Sequence, residues 1–417
     1  MTSITRMTRR AALALTTTLA LGAGLPALAQ DGEPVKMGLL VGFTGDMGPW
    51  APALNDAAVL AVEEINAAGG ILGRPVELIS EDNASTVDGA MRGATKLVSV
   101  EDVSVIIGPE SDPIVSLRSF AADNEIPIIS TSAGTEALNE TGGTGRFIYR
   151  TNASDSFLGV VHAKMLLDEL GRDEILLVVE NLEGTMSAAA TFKAAYERFG
   201  GTVIDEIVLA PGQTNYQAEV REAASHDQDM LFLATGQTAG VAFVKQAFQR
   251  GYDWDYWVAA ELQSPDFVAA AGVEIVEGAM NPVSSQIEGS ESWQRFSDAF
   301  LERFGERPEP GFYQAETYDA FMVAALAMVA AGDTSGAAID ANLVNVANPP
   351  GTAVISFADG VAALEAGETI NYEGASGSID FDEFGNVGVP ATRLLQVNAE
   401  GVWETVKTVD SSSFPAN

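Results

Sequence analysis

"VKMGLLVGFTGDMGPW" (35–50), followed by "APALNDAAVLAVEEINAAGG" (51–70), sets the pattern from which the rest of the chain is read. Residues 35–43 form an apolar run suited to a strand buried on both faces. The next segment has helical period. Ala58, Ala61, Val62 and Ile65 fall on one stripe, and Gly69-Gly70 provides the stop. A glycine-rich turn between a strand and a helix often cradles a phosphate. Here it does not fit one. A G-x-G-x-x-G run beginning at Gly42 needs glycine where Thr44 and Met47 stand, and no G-K-S or G-K-T follows. The glycines at 42, 45 and 48 are expected to let the backbone turn tightly at a strand end.

The same alternation continues. "PVELISE" (75–81) reads as a second strand, and "TVDGAMRGATKLVS" as a helix opened by a Thr cap. Strands are expected over 103–108, 126–130 and 146–150. A second series follows, with strands at 174–180, 202–209, 229–235 and 256–261 separated by helices. Further helices near 290–304 and 314–331 must pack back on one lobe. Strands alternating with 10–15-residue helices imply parallel sheets with right-handed crossovers. The fold class is therefore α/β, with two doubly wound parallel-sheet lobes whose main runs are 35–150 and 151–280. The links between them are expected to be several short crossings.

Composition narrows the function. Residues 1–29 carry Arg6, Arg9 and Arg10, then an apolar stretch, then Ala27-Leu28-Ala29, and read as a signal peptide for export to the periplasm. No Cys follows that stretch, so no lipid anchor is expected there. The chain has no Cys at all, which removes disulfides, thiolate catalysis and Cys-based metal sites. The formal net charge is −36, and all 58 Asp and Glu lie after residue 30. Nucleic acid and anionic membrane surfaces would be repelled. Only six residues are Lys, a balance that suggests a salt-rich habitat.

In open parallel sheets, ligands sit at the carboxyl ends of the strands. The loops to inspect are "GFTGDMGPW", "GPESDP" with Ser111, and "STSAGTEAL" with Ser130, Thr131, Ser132 and Thr135. In the second lobe they are "ENLEGT", "TGQTAG" and "AAELQS". Small hydroxyls and backbone N–H groups near helix N-termini suit a carboxylate. Glu261 suits an ammonium, and Trp50 offers a broad face to a side chain or a cation. Each feature has a plainer role: a Ser or Thr after a strand is commonly a helix cap, Glu261 alone a solvated acid, Trp50 alone a core or rim aromatic. Together they describe a pocket for a zwitterion between two lobes. No enzyme signature competes with it. His162 sits inside an apolar helix and reads as a satisfied or half-exposed histidine, and His226 lies in a polar loop. No G-x-S-x-G or H-E-x-x-H occurs near either. "DFDEFGN" (380–386) lacks the ligand order of a calcium loop and reads as a β-turn. No cofactor or metal is expected.

The stretches "EEINAAGGILGRPVEL", "VSVIIGPESD" and "IPIISTSAGTEAL", with "FYQAETYDAF" (312–321) and "GSIDFDEFGNV" (377–387) later, resemble the periplasmic substrate-binding proteins of ABC importers. The nearer resemblance is to the type I leucine/isoleucine/valine-binding branch. It implies two α/β lobes joined by three crossings, one of 35–150 plus 281–388 and the other of 151–280 plus 389–417. It implies an amino acid, branched-chain or hydrophobic, captured in the cleft and delivered by a monomer to a membrane permease. By position, Ser111 and the Ser132–Thr135 turn would take the carboxylate, with Ala133 and Thr135 competing for one role because that turn is one residue longer than usual. Glu261 would take the α-ammonium, and Trp50 would face the ligand side chain. Thr185 and Gly236 stand where the branched-chain binders carry tyrosines, which changes the pocket's volume. Relatives in the family also bind urea, short amides and aromatic acids, and the same trap serves sensory proteins.

Overall fold

The computed structural model describes residues 32–287, 289–410 and 414. The expected signal peptide, residues 1–29, lies outside them. The chain begins with strand β1 (Val35–Val41), helix α1 (Ala51–Ala67), β2 (Val76–Asp82), α2 (Val87–Ser99), β3 (Ile106–Ile107), α3 (Ser111–Asp123), β4 (Ile128–Ser130) and β5 (Ile148–Arg150). The Thr86 hydroxyl caps α2 by accepting from the Gly89 N–H at 3.0 Å, as the sequence implied. All pairings in this sheet are parallel, in the order β2-β1-β3-β4-β5. The order reverses between β1 and β3, so the loops after those two strands flank a crevice.

A second series follows: α4 (Asp155–Lys164), β6 (Glu174–Glu180), α5 (Glu183–Arg198), β7 (Thr202–Leu209), α6 (Gln217–Ala223), β8 (Met230–Ala234), α7 (Gln237–Gln249), β9 (Asp255–Val258), α8 (Pro265–Ala271), α9 (Val273–Val276) and β10 (Met280–Ser285). The chain then returns to the first lobe as α10 (Glu291–Phe304), α11 (Gln314–Ala331), α12 (Gly336–Ala347), β11 (Thr352–Val354), α13 (Phe357–Glu365) and β12 (Ile370–Tyr372). It ends in β13 (Ala391–Val397) and β14 (Trp403–Asp410). The second sheet has seven strands in the order β14-β13-β10-β9-β8-β6-β7, with β13 and β14 antiparallel. Its reversal lies between β6 and β8. β10 belongs to this sheet, so the second lobe runs on to Ser285, whereas the sequence division at 280/281 cuts the strand. The chain crosses between lobes after β5, after β10 and before β13.

No single helix among the described residues is long and apolar enough to cross a membrane. α11 is buried around nearly its whole circumference because it is the core of the first lobe. Residues 314–328 are all buried, and the helix packs against α1. Each fully buried Leu or Phe there contributes roughly 1.5–3 kcal/mol.

Candidate functional site

The loop after β1 is shaped by its glycines in different ways. Gly45 needs its φ of +86°. Gly42 lets Ser85 approach, since a Cβ there would stand 2.2 Å from the Ser85 hydroxyl oxygen. That hydroxyl accepts from the Met47 N–H and donates to the Thr44 carbonyl, both at 3.0 Å. The loop is thereby fixed to the one after β2, and Trp50 is delivered to the start of α1. Trp50 is 2% exposed, and its ring centroid lies 6.0 Å from that of Phe312.

Two adjoining chambers open between the lobes. One is lined by Trp50, Ser111, Ser132, Thr185, Gly236 and Glu261, with Asp46, Met47, Leu182 and Tyr313. The other lies toward the crossings and is lined by Asn152, Asp155, Leu158, Phe192, Phe232, Val283 and Glu316. They share a wall made of Ser111, Ser132, Gly184, Ala260, Glu261 and Tyr313. Gly184 is a close approach between lobes. A Cβ on it would lie 3.3 Å from the Ser111 hydroxyl oxygen and 3.6 Å from Glu261 Oε1.

Six of the eight residues singled out from the sequence thus line one continuous cleft; Ala133 and Thr135 do not. The Ser130 hydroxyl decides this. It donates to the Pro109 carbonyl at 2.6 Å and accepts from the Ala133 N–H at 2.9 Å, folding Ala133 into the apolar core. The Thr135 hydroxyl is fully buried and donates to Glu183 Oε1 at 2.8 Å, across the lobes. Ser132 Oγ, by contrast, has no hydrogen-bond partner. Thr185 lines the cleft, but its hydroxyl donates to the Glu180 carbonyl at 2.6 Å. The Gly236 N–H donates to Glu180 Oε2 at 2.9 Å, and a Cβ on Gly236 would stand 2.5 Å from Asp46 Oδ2. Glu261 lies not at the end of β9 but on a 3-10 turn, Ala260–Leu262, just beyond it.

The cleft is acidic. Asp46, Glu110, Asp112, Asp155, Glu261 and Glu316 line the two chambers, and among the described residues no Lys or Arg does. Burial pushes Glu261 up to about 7, helped by the charges of Asp155, Asp112 and Asp46. Burial likewise raises Glu110 to about 7, Asp155 to about 6 and Glu316 to about 8. Asp46, Asp155, Glu110 and Glu316 were not singled out from the sequence. They sit on four separate segments, and no local spacing marks them as a set. His162 is a satisfied core histidine. It accepts from Trp257 Nε1 at 3.0 Å, and burial holds it neutral, down at about 3. Asp382 is occupied within its turn by the N–H groups of Phe384 and Asn386.

Comparison with known proteins places this geometry. A family model described as periplasmic binding protein matches residues 34–401. A chemotactic signal transduction substrate-binding protein of Halobacterium salinarum, BasB, is 27% identical over 364 residues, covering 84% of each chain. The leucine-, isoleucine-, valine-, threonine- and alanine-binding protein of Pseudomonas aeruginosa is 21% identical over 366 residues, 88% of this chain and 90% of that one. Among solved structures, the branched-chain amino acid binding protein LivJ of Streptococcus pneumoniae, in complex with isoleucine, superposes with a TM-score of 0.74. It covers 91% of this chain and 100% of its own at 24% identity. A solute-binding protein of R. palustris in complex with benzoate superposes with a TM-score of 0.70 at 19% identity, covering 90% and 96%.

Proposed function

This chain belongs to the periplasmic binding protein family, and on that premise we propose that it is the exported solute receptor of an ABC importer, capturing an α-amino acid between its lobes. The observation that carries the reading is the position of Glu261. Its buried carboxylate stands on the wall shared by both chambers, beside Ser111 at the N-terminus of α3. An ammonium at Glu261 and a carboxylate at the α3 N-terminus and the free Ser132 hydroxyl are complementary charges on opposite lobes. Trp50, Met47 and Leu182 supply an apolar surface for the ligand's carbon atoms. A ligand gripped from both sides favours the closed arrangement, because only that arrangement offers all the contacts. The closed, loaded monomer is the form that would dock on a membrane permease.

The R. palustris neighbour makes an aromatic acid the natural rival. The acidic lining opposes it, since an acid without an amine would bring a negative charge among six carboxyl groups and find no Lys or Arg among the described lining residues. The likeness to a chemotactic binding protein supports a second use of the same trap, reporting to a membrane receptor instead of feeding a permease. Uptake of labelled amino acid by a deletion strain separates the two. The ligand itself is found by a thermal-shift screen of amino acids, amides, urea and aromatic acids. A true ligand at 100–1,000 times its dissociation constant should raise stability by about 3–4 kcal/mol. A response to urea or an aromatic acid, with none to any α-amino acid, would overturn the reading.

A further inference from the structure

The proposed grip on an α-amino acid uses the shared wall and Glu261. It leaves the chamber nearer the crossings without a role, although that chamber holds an unusual set of groups. Asp155 opens α4 in the second lobe and is 8% exposed; Glu316 lies in the first turn of α11 in the first lobe and is 6% exposed. Asn152, on the crossing between β5 and α4, is 5% exposed. All three line the chamber with Glu261.

Their bonding is incomplete. Asp155 takes a hydrogen bond from the Ser187 hydroxyl, yet among the described residues its Oδ2 has no partner. The Glu316 carboxylate meets only its own backbone N–H among the described residues. Asn152 donates its amide nitrogen to the Ala153 carbonyl at 3.0 Å, and its Oδ1 is left with nothing. The unfilled atoms on Asp155 and Asn152 are oxygens, which accept when the Asp155 carboxyl is ionised. The charge of the buried Arg150 acts on Asp155, but its terminal nitrogens are used on other groups: Nη1 donates to the carbonyls of Gly134 at 2.8 Å and Thr135 at 3.2 Å, and Nη2 to Asn139, while Nε has no partner among the described residues. Opposite the acids, Leu158, Phe192, Phe232 and Val283 give the chamber an apolar wall.

Buried acceptors without donors are costly, and buried carboxylates without a counter-charge more so. An apolar side chain entering this chamber would leave them unpaired, and a neutral donor would supply no counter-charge. A group with several N–H donors and a positive charge, on a methylene stem, would satisfy acids and wall together. We propose that this chamber is a subsite for the cationic end of the ligand's side chain, so that the receptor's substrate class is basic α-amino acids. The inference rests on the reading that Glu261 holds the α-ammonium. Asp155 and Glu316, one from each lobe, then hold the distal cation, and Trp50 covers the ligand from the far side.

The test is calorimetric titration of the ligand-stripped protein with lysine, arginine, norleucine, leucine and alanine. Norleucine has the straight carbon stem of lysine without the charge. Lysine or arginine should bind about 100-fold more tightly than norleucine. Glu316→Gln and Asp155→Asn should each reduce that preference about tenfold or more, chiefly by weakening lysine and arginine. Should either variant misfold, the comparison of lysine with norleucine on the unaltered protein still decides. Norleucine or leucine binding as tightly as lysine, while alanine also binds, overturns this inference alone. Stabilisation by sodium or potassium chloride that erases the preference identifies an inorganic cation as the occupant and also overturns it. If no α-amino acid binds at all, the underlying reading of Glu261 fails and the subsite falls with it.

Discussion

Asp112, in the first turn of α3, accepts hydrogen bonds from the backbone N–H groups of Glu183 at 3.0 Å and Gly184 at 3.4 Å, at the start of α5 in the opposite lobe. A carboxylate at a helix N-terminus is favoured by the unpaired N–H groups and the helix dipole. The start of α5 also meets the turn after β4, through the Thr135–Glu183 bond and a bond from the Glu136 N–H to Ser187 Oγ at 2.9 Å. None of these bonds lies within one lobe, so they exist only while the lobes are together.

Asp112 is therefore expected to act as a latch. Asp112→Ala should weaken ligand binding roughly 5–30-fold, the equivalent of a lost charged hydrogen bond of about 1–2 kcal/mol, with little effect on folding. Small-angle scattering of the ligand-saturated variant should show a larger radius of gyration than the unaltered protein. An unchanged affinity would show that closure does not depend on this contact.

Glu261 carries the proposed function. Glu261→Gln keeps the shape of the side chain and removes its charge. Loss of a buried charge partner typically costs 2–5 kcal/mol, or about 30- to several thousand-fold in affinity. Alanine, which reaches neither distal chamber, should lose affinity as strongly as any larger amino acid. Retention of alanine binding would remove Glu261 from the ammonium site.

The raised carboxylates set a pH dependence. Glu261, Glu316 and Asp155 lie at about 7, 8 and 6 because burial disfavours their charged forms. Between the ordinary carboxylate range and these values, the folded chain holds protons that the unfolded chain has released. Stability is then fully present near pH 4 and is lost as pH rises toward 8. The ligand-free melting temperature should accordingly be higher at pH 5 than at pH 8. A cationic ligand needs the ionised carboxylates, so its own stabilising effect should grow over the same interval. A ligand-free melting temperature that rises from pH 5 to 8 would contradict this.

Much of the scaffold was legible because it is written in local periods. The apolar run of β1, the stripe of α1 and the Thr86 cap are properties of short windows. The strand-end rule singled out Trp50, Ser111, Ser132 and Glu261, the family resemblance added Thr185 and Gly236, and all six line one cleft. What escaped depended on contacts far apart in sequence. Ala133 and Thr135 turned away because one hydroxyl, on Ser130, gathers the turn. Asp155 and Glu316 are ordinary first-turn helix acids until the lobes meet. β10 is not among the strands expected from the sequence, and the division at 280/281 cuts it, because its pairing with β13 is a partnership across more than a hundred residues.

The surface charge predicts a response to salt. With a net charge of −36 and only six Lys, repulsion among carboxylates opposes the compact state. Raising ionic strength from 0.1 to 1 M shortens the screening length from about 10 to about 3 Å. The melting temperature should rise with sodium chloride over that range. A flat response would remove the case for a salt-rich habitat.

Trp50 separates packing from recognition. Its ring belongs to the first lobe's core and leans on Phe312, and its Nε1 is buried without a partner. Trp50→Ala should cost about 3–5 kcal/mol of folding stability, as expected for a truncated core aromatic. Its effect on binding depends on where the side chain of the ligand lies. If the side chain rests against Trp50, norleucine loses more affinity than alanine does. If the side chain runs toward Asp155 and Glu316, Trp50 touches only atoms near the α-carbon, and lysine and alanine lose affinity by similar factors. Titrating both ligands against Trp50→Phe, which keeps an aromatic face, checks that the losses reflect contact rather than unfolding.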